Sequence, residues 1–149
     1  MDSEIMDGKT VDGKVVDSKI IVDKVTMNKY YSAQCLAYMG DAVFELYVRK
    51  MLLSDGNRPV NVLNKQARQY VSAAAQAAMY HHIEPLLTQE EQAVMKRGRN
   101  LHSYSKAKSA NTLAYRHATG LEVLFGYLFV NERHERLAEV FEFCVSIAD

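Results

Sequence analysis

No run of apolar residues in this chain approaches the roughly 20 needed to cross a bilayer, and the first residues are too heavily charged for a secretory leader. No membrane partner is expected, and the cytoplasm is the default compartment. Cysteine is scarce: Cys35 and Cys144 stand alone, without metal-ligand spacing. They read as two reduced, partly buried thiols rather than a disulfide, which also suits the cytoplasm. Proline is equally sparse, with only Pro59 and Pro85 to punctuate helices. The histidines His81, His82, His102, His117 and His134 show no metal-binding spacing and read as structural or surface residues. No nucleotide cofactor is expected.

Excess charge is also missing, since 18 Lys and Arg balance 18 Asp and Glu. A neutral chain argues at first against a polyanionic partner. The distribution argues the other way. From Gln92 to Leu121 there is no acid, while Lys96, Arg97, Arg99, Lys106, Lys108 and Arg116 are basic. Gly56 to Ile83 is again free of acid and carries Arg58, Lys65 and Arg68. Such segregation builds a basic face on a neutral protein. Ordinary solvated helix faces remain the alternative.

No aromatic residue precedes Tyr30, and residues 1–28 stand apart. Val11-Asp12-Gly13-Lys14, Val16-Asp17-Ser18-Lys19 and Val22-Asp23-Lys24 form a degenerate repeat of apolar, Asp and Lys residues. This reads as a low-complexity extension without assigned function. Residues 29–149 read as one domain, and with 48% hydrophobic residues the chain has ample material for a core.

That domain reads as all-α, with about six helices. The first runs from Ser32 to Leu53 and stops at the turn cluster Ser54-Asp55-Gly56-Asn57. Pro59 suits the first turn of a second helix carrying Val62, Leu63, Ala67 and Val71. Ser72 caps a third, from Ala73 to His82. Thr88-Gln89-Glu90-Glu91 is a capping-box pattern opening a fourth. Gly98 to Ser109 reads as a basic loop, Asn111 to Val130 as a long fifth helix, and Glu132 to Ile147 as the last.

The first helix is unusual. Leu36, Met39, Val43, Leu46 and Tyr47 keep helical spacing, yet Gly40, Asp41 and Glu45 interrupt the apolar length. Glycine inside a helix costs about 1 kcal/mol against alanine. Close packing against a neighbouring helix, with Asp41 merely solvated, accounts for this on helix physics alone.

Leu36-Ala37-Tyr38-Met39-Gly40-Asp41-Ala42-Val43-Phe44-Glu45 resembles the signature helix of the ribonuclease III family, built around a Leu-Glu-Phe-Leu-Gly-Asp pattern. Leu121-Glu122-Val123-Leu124-Phe125-Gly126 is similar to the family's second acidic segment. Lys96-Arg97-Gly98-Arg99-Asn100 between them resembles the short Mini-ribonuclease III subfamily, a catalytic domain without an appended double-stranded RNA-binding domain.

The resemblance implies a ribonuclease III-type endonuclease fold, dimeric, with Asp41 and Glu122 as catalytic residues and metal ligands. It implies Mg²⁺, with Mn²⁺ able to substitute, and cleavage of double-stranded RNA to 5′-phosphate and 3′-hydroxyl ends. Maturation of precursor large-subunit (23S) ribosomal RNA is the implied role. A hard cation prefers oxygen ligands and keeps several waters, so one or two carboxylates anchor it beside phosphate. The basic stretch offers Lys96, Arg97, Arg99, Asn100, Lys106 and Lys108 for duplex RNA, which is contacted mostly through phosphates and 2′-hydroxyls. A homodimer would also bury the surplus apolar positions of the signature helix, Phe44 and Tyr47 among them.

The departures from the family pattern are specific. Ala37 stands where the family has a Glu, Thr119 where it has an Asp, and Gln34 where it has an earlier Glu. Glu45, Thr119 and Arg116 are candidates for supporting roles around the site. The lost acids also keep open a non-catalytic RNA-binding or ribosome-associated module.

Overall fold

The computed structural model describes residues 31–102 and 110–148. The N-terminal extension, Lys106 and Lys108 lie outside the described residues. Among the described residues, six α-helices follow one another: α1 (Ala33–Leu53), α2 (Val60–Val71), α3 (Ala73–Ile83), α4 (Gln89–Arg99), α5 (Ala110–Val130) and α6 (His134–Val145). Short 3-10 turns occupy Glu84–Leu86, Asn100–His102 and Ser146–Ala148. Among the described residues there is no strand, and no helix is long and apolar enough to cross a membrane.

Local chemistry sets the helix starts. The Ser32 hydroxyl accepts the Cys35 N–H at 3.1 Å, and Ser72 accepts that of Ala75 at 3.2 Å. Thr88 and Glu91 complete a reciprocal capping box, with bonds of 3.1 and 2.9 Å. Glu91 does more than cap. It is 2% exposed and binds the Arg136 guanidinium at 2.8 and 2.9 Å, which fastens α6 to the start of α4. Burial alone would raise the Glu91 pKa; the bonds from Arg136 and Thr88 outweigh it and hold the carboxyl below its ordinary range.

Helix α5 runs through the middle, packed against α1, α3 and α4. Leu121, Val123, Leu124, Phe125, Tyr127 and Leu128 cover most of its circumference and are fully buried, while Phe129 is exposed and Glu122 faces a cavity. Phe125 meets Phe44 edge-on at 5.1 Å, and Phe141 of α6 closes the cluster 5.9 Å from Phe44.

Glycines set the depth of this packing. A Cβ on Gly40 would lie 1.6 Å from the Glu122 carbonyl oxygen, and one on Gly126 would lie 2.0 Å from that of Leu36. The backbones of α1 and α5 therefore touch. Gly98 and Gly120 do the same between α4 and α5, where a Cβ on Gly98 would lie 2.9 Å from the Gly120 Cα.

Several expectations are corrected. Phe44 is 1% exposed and the Tyr47 ring packs 5.3 Å from Phe141, so both are used within one protomer. The apolar residues that α1 leaves to solvent are Tyr38, Met39, Leu46 and Leu53. The last helix starts at His134 rather than Glu132, because Glu132 takes φ +57° in the turn after α5. The basic loop begins later than Gly98: α4 continues to Arg99 and a 3-10 turn to His102. Cys144 is buried as expected, whereas Cys35 is exposed. Arg58 donates to the Leu52 carbonyl and the Gln66 side chain, tying α1 to α2 rather than facing solvent.

Candidate active site

The close contact at Gly40 decides what happens to the residue after it. With the α1 backbone pressed on the Glu122 carbonyl, Asp41 is carried over the Glu122 side chain. The two carboxyls lie within hydrogen-bonding reach of each other. Burial, and then the neighbouring Asp41 carboxylate, push the Glu122 carboxyl up to about 8. Asp41 itself is exposed, so the pair sits at a mouth rather than in the core.

Both acids line a cavity of about 240 Å³ between α1, α5 and the turn after α4. Gln34, Ala37 and Thr119 line it too. The three positions that depart from the resembled pattern therefore share one cavity with the two acids that keep it. Thr119 is 5% exposed and its hydroxyl donates to the Tyr115 carbonyl at 2.9 Å, leaving its lone pairs for the cavity. Tyr38 and Tyr115 form the exposed rim, and Leu101 completes the wall.

Tyr115 reads from the sequence as a core or interface residue, and Leu101 carries no site assignment there; both line the cavity. For Tyr115 the signal was present: Tyr115, Thr119 and Glu122 keep the spacing of one helix face. For Leu101 there was none, because its place depends on how α4 ends. Arg116 helps to set that end, with its Nε 3.5 Å from the Arg99 carbonyl oxygen. It braces α4 against α5 and is not among the cavity-lining residues.

Other candidates lie apart. Glu45 pairs with Arg49 at 2.6 Å, one turn beyond the cavity. Lys96, Arg97 and Asn100 are exposed at the end of α4, and Arg99 is half-buried there. Leu101 joins this basic turn directly to the cavity wall. His117 packs between Tyr80 and His81, at 4.7 and 4.4 Å, and its Nδ1–H donates to Leu113. It is structural, as expected.

The donor set fits a hard divalent cation. The cavity presents oxygen donors from Asp41, Glu122, Thr119 and Gln34, with no sulfur or imidazole ligand among its lining residues. Two carboxyls in contact repel when both ionise, and a cation between them relieves that repulsion.

The model of the Ribonuclease III domain matches residues 34–133, which contain every described wall of the cavity. A Mini-ribonuclease 3 of Symbiobacterium thermophilum is 48% identical over 107 residues, covering 72% of this chain and 82% of the relative. One from Enterococcus faecalis is 46% identical over 112 residues, covering 74% and 85%. The crystal structure of protein FN1578 from Fusobacterium nucleatum superposes with a TM-score of 0.70 at 27% identity, covering 83% of this chain and 98% of that one.

Proposed function

The chain belongs to the ribonuclease III family and is an endoribonuclease, and from that premise we propose that it hydrolyses double-stranded RNA with a divalent cation held by Asp41 and Glu122. One observation carries the reading: these two acids, from helices far apart in sequence, meet in a cavity that is also lined by Gln34, Ala37 and Thr119, the three positions where the family pattern has further acids. Mg²⁺ suits the oxygen donors, and Mn²⁺ substitutes for it. When bound, the ion acidifies water and offsets the charge that develops on the scissile phosphate.

The chain's own residues do the rest. Asp41 and Glu122 fix the cation against the α1–α5 contact. Thr119 accepts a hydrogen bond from a water in the cavity. Lys96, Arg97, Arg99 and Asn100, with Lys106 and Lys108, bind the flanking phosphates and sugars. Water adds to phosphorus and the P–O3′ bond breaks, leaving a 5′-phosphate and a 3′-hydroxyl.

The natural substrate in this reading is precursor 23S ribosomal RNA, in the cytoplasm. The working form is a homodimer, with Tyr38, Met39, Leu46 and Leu53 of α1 supplying apolar surface that one protomer leaves exposed.

The test is cleavage of end-labelled duplex RNA in Mg²⁺. The wild type should give discrete products. Asp41→Asn, Glu122→Gln and EDTA should each reduce the rate at least about 100-fold. Binding without cutting in any divalent metal would instead make the chain a non-catalytic RNA module.

A further inference from the structure

We infer that each cavity is built for a single divalent cation and not for a pair. The inference rests on the proposed nuclease reading and specifies its cofactor requirement.

Two metal ions working together on one phosphate sit about 3.5–4 Å apart. Together they bring four positive charges, which the protein has to offset. The cavity answers with two carboxyl groups. Ala37 contributes no donor atom, while Gln34 and Thr119 offer neutral oxygens. The Thr119 hydroxyl proton is already committed to the Tyr115 carbonyl. Among the described residues, no third His, Cys, Asp or Glu joins a group able to hold a metal.

Other described acids are engaged elsewhere. Glu45 is bound by Arg49, Glu91 by Arg136, and Glu90 by Tyr127. The segment after the basic turn cannot supply one either, because Gln92 to Leu121 contains no acid and adds Lys106 and Lys108. Positive charge at the end of α4 further disfavours a second cation nearby. Among the described residues, what remains is Asp41 and Glu122 together, two carboxyls lining one cavity.

The same geometry says how a second seat would be made. Residue 37 precedes Asp41 by one turn and residue 119 precedes Glu122 by nearly one turn, on the faces that already line the cavity. An Ala37→Glu, Thr119→Asp double variant would therefore add two carboxylates to the same space.

The experiment counts bound Mn²⁺ by electron paramagnetic resonance, on the free protein and with a 5′-phosphorylated product duplex. The wild type should hold one ion per protomer in both states, Asp41→Asn none, and the double variant two. The Mg²⁺ dependence of cleavage should be first order in the wild type and second order in the double variant. Two ions per wild-type protomer would overturn the inference and leave the nuclease reading standing. No ion in any state would overturn both. A folded double variant that still binds one ion would also overturn the inference, because the missing acids would not be what limits the count. Should the double variant fail to fold, Ala37→Glu alone is read by the same criterion, and the wild-type count decides by itself.

Discussion

The carbonyl oxygen of Glu122 occupies the space where a side chain on Gly40 would begin, 1.6 Å from the ideal Cβ position. Gly40→Ala must push α1 away from α5. Its cost should reach or exceed the upper end of the roughly 1–3 kcal/mol typical of overpacking. Cleavage should fall with it, because Asp41 moves off Glu122. Gly56→Ala is the control: φ is +113° there, with nothing within 4 Å. That change should cost about 1–2 kcal/mol through backbone strain and leave the activity of the folded enzyme intact. Urea denaturation beside a cleavage assay separates the two.

Arg136→Ala should destabilise the fold by about 3–5 kcal/mol, since it leaves Glu91 buried without its counter-charge. Glu91→Gln in the Arg136→Ala background should recover part of that loss, because the buried group is then neutral. Thermal melting of the four proteins in the cycle measures the coupling directly.

Stability should carry two opposed pH slopes, read in EDTA. Folded Glu122 keeps its proton up to about 8, whereas an unfolded Glu releases it near 4.5. The folded state thus binds the extra proton between those values, and stability falls as pH rises through that window. Glu122→Gln should remove the slope. His117 runs the other way: burial first, then the nearby His81, Arg99 and Arg116 charges, lower its pKa below 6.5. The unfolded chain takes up that proton first, so stability falls as pH drops below about 6.5 toward the folded value. His117→Phe should flatten that limb.

Lys96→Ala and Arg97→Ala should weaken duplex RNA binding without regard to sequence. Each should also reduce the slope of log affinity against log salt by about 1. An unchanged slope in both would move the RNA surface away from the end of α4.

Much of the framework was legible because local chemistry and tertiary packing agree. Ser72 and the Thr88–Glu91 box cap helices where the sequence says they should, and the first helix begins where Ser32 marks its start. The pairing of Asp41 with Glu122 came from the resemblance alone, since helical periodicity leaves Asp41 as a solvated residue. Where reading failed, the cause was contact between distant segments. Gly98 looks like loop freedom in sequence and is in fact a packing site against Gly120. Phe44 looks surplus on a single stripe because the stripe cannot show that α6 brings Phe141 to its other side.

The shared cavity also has a timetable. One carboxylate is carried by the first helix of the domain and the other by the fifth, and only the second acid's own backbone completes the wall behind the first. During synthesis, which runs from the N-terminus, the chain therefore has Asp41 long before it has a place to put it. A nascent chain that has not yet released α5 from the ribosome lacks the cavity. Until its central helix is home, the chain has nowhere to bring Asp41 and Glu122 together.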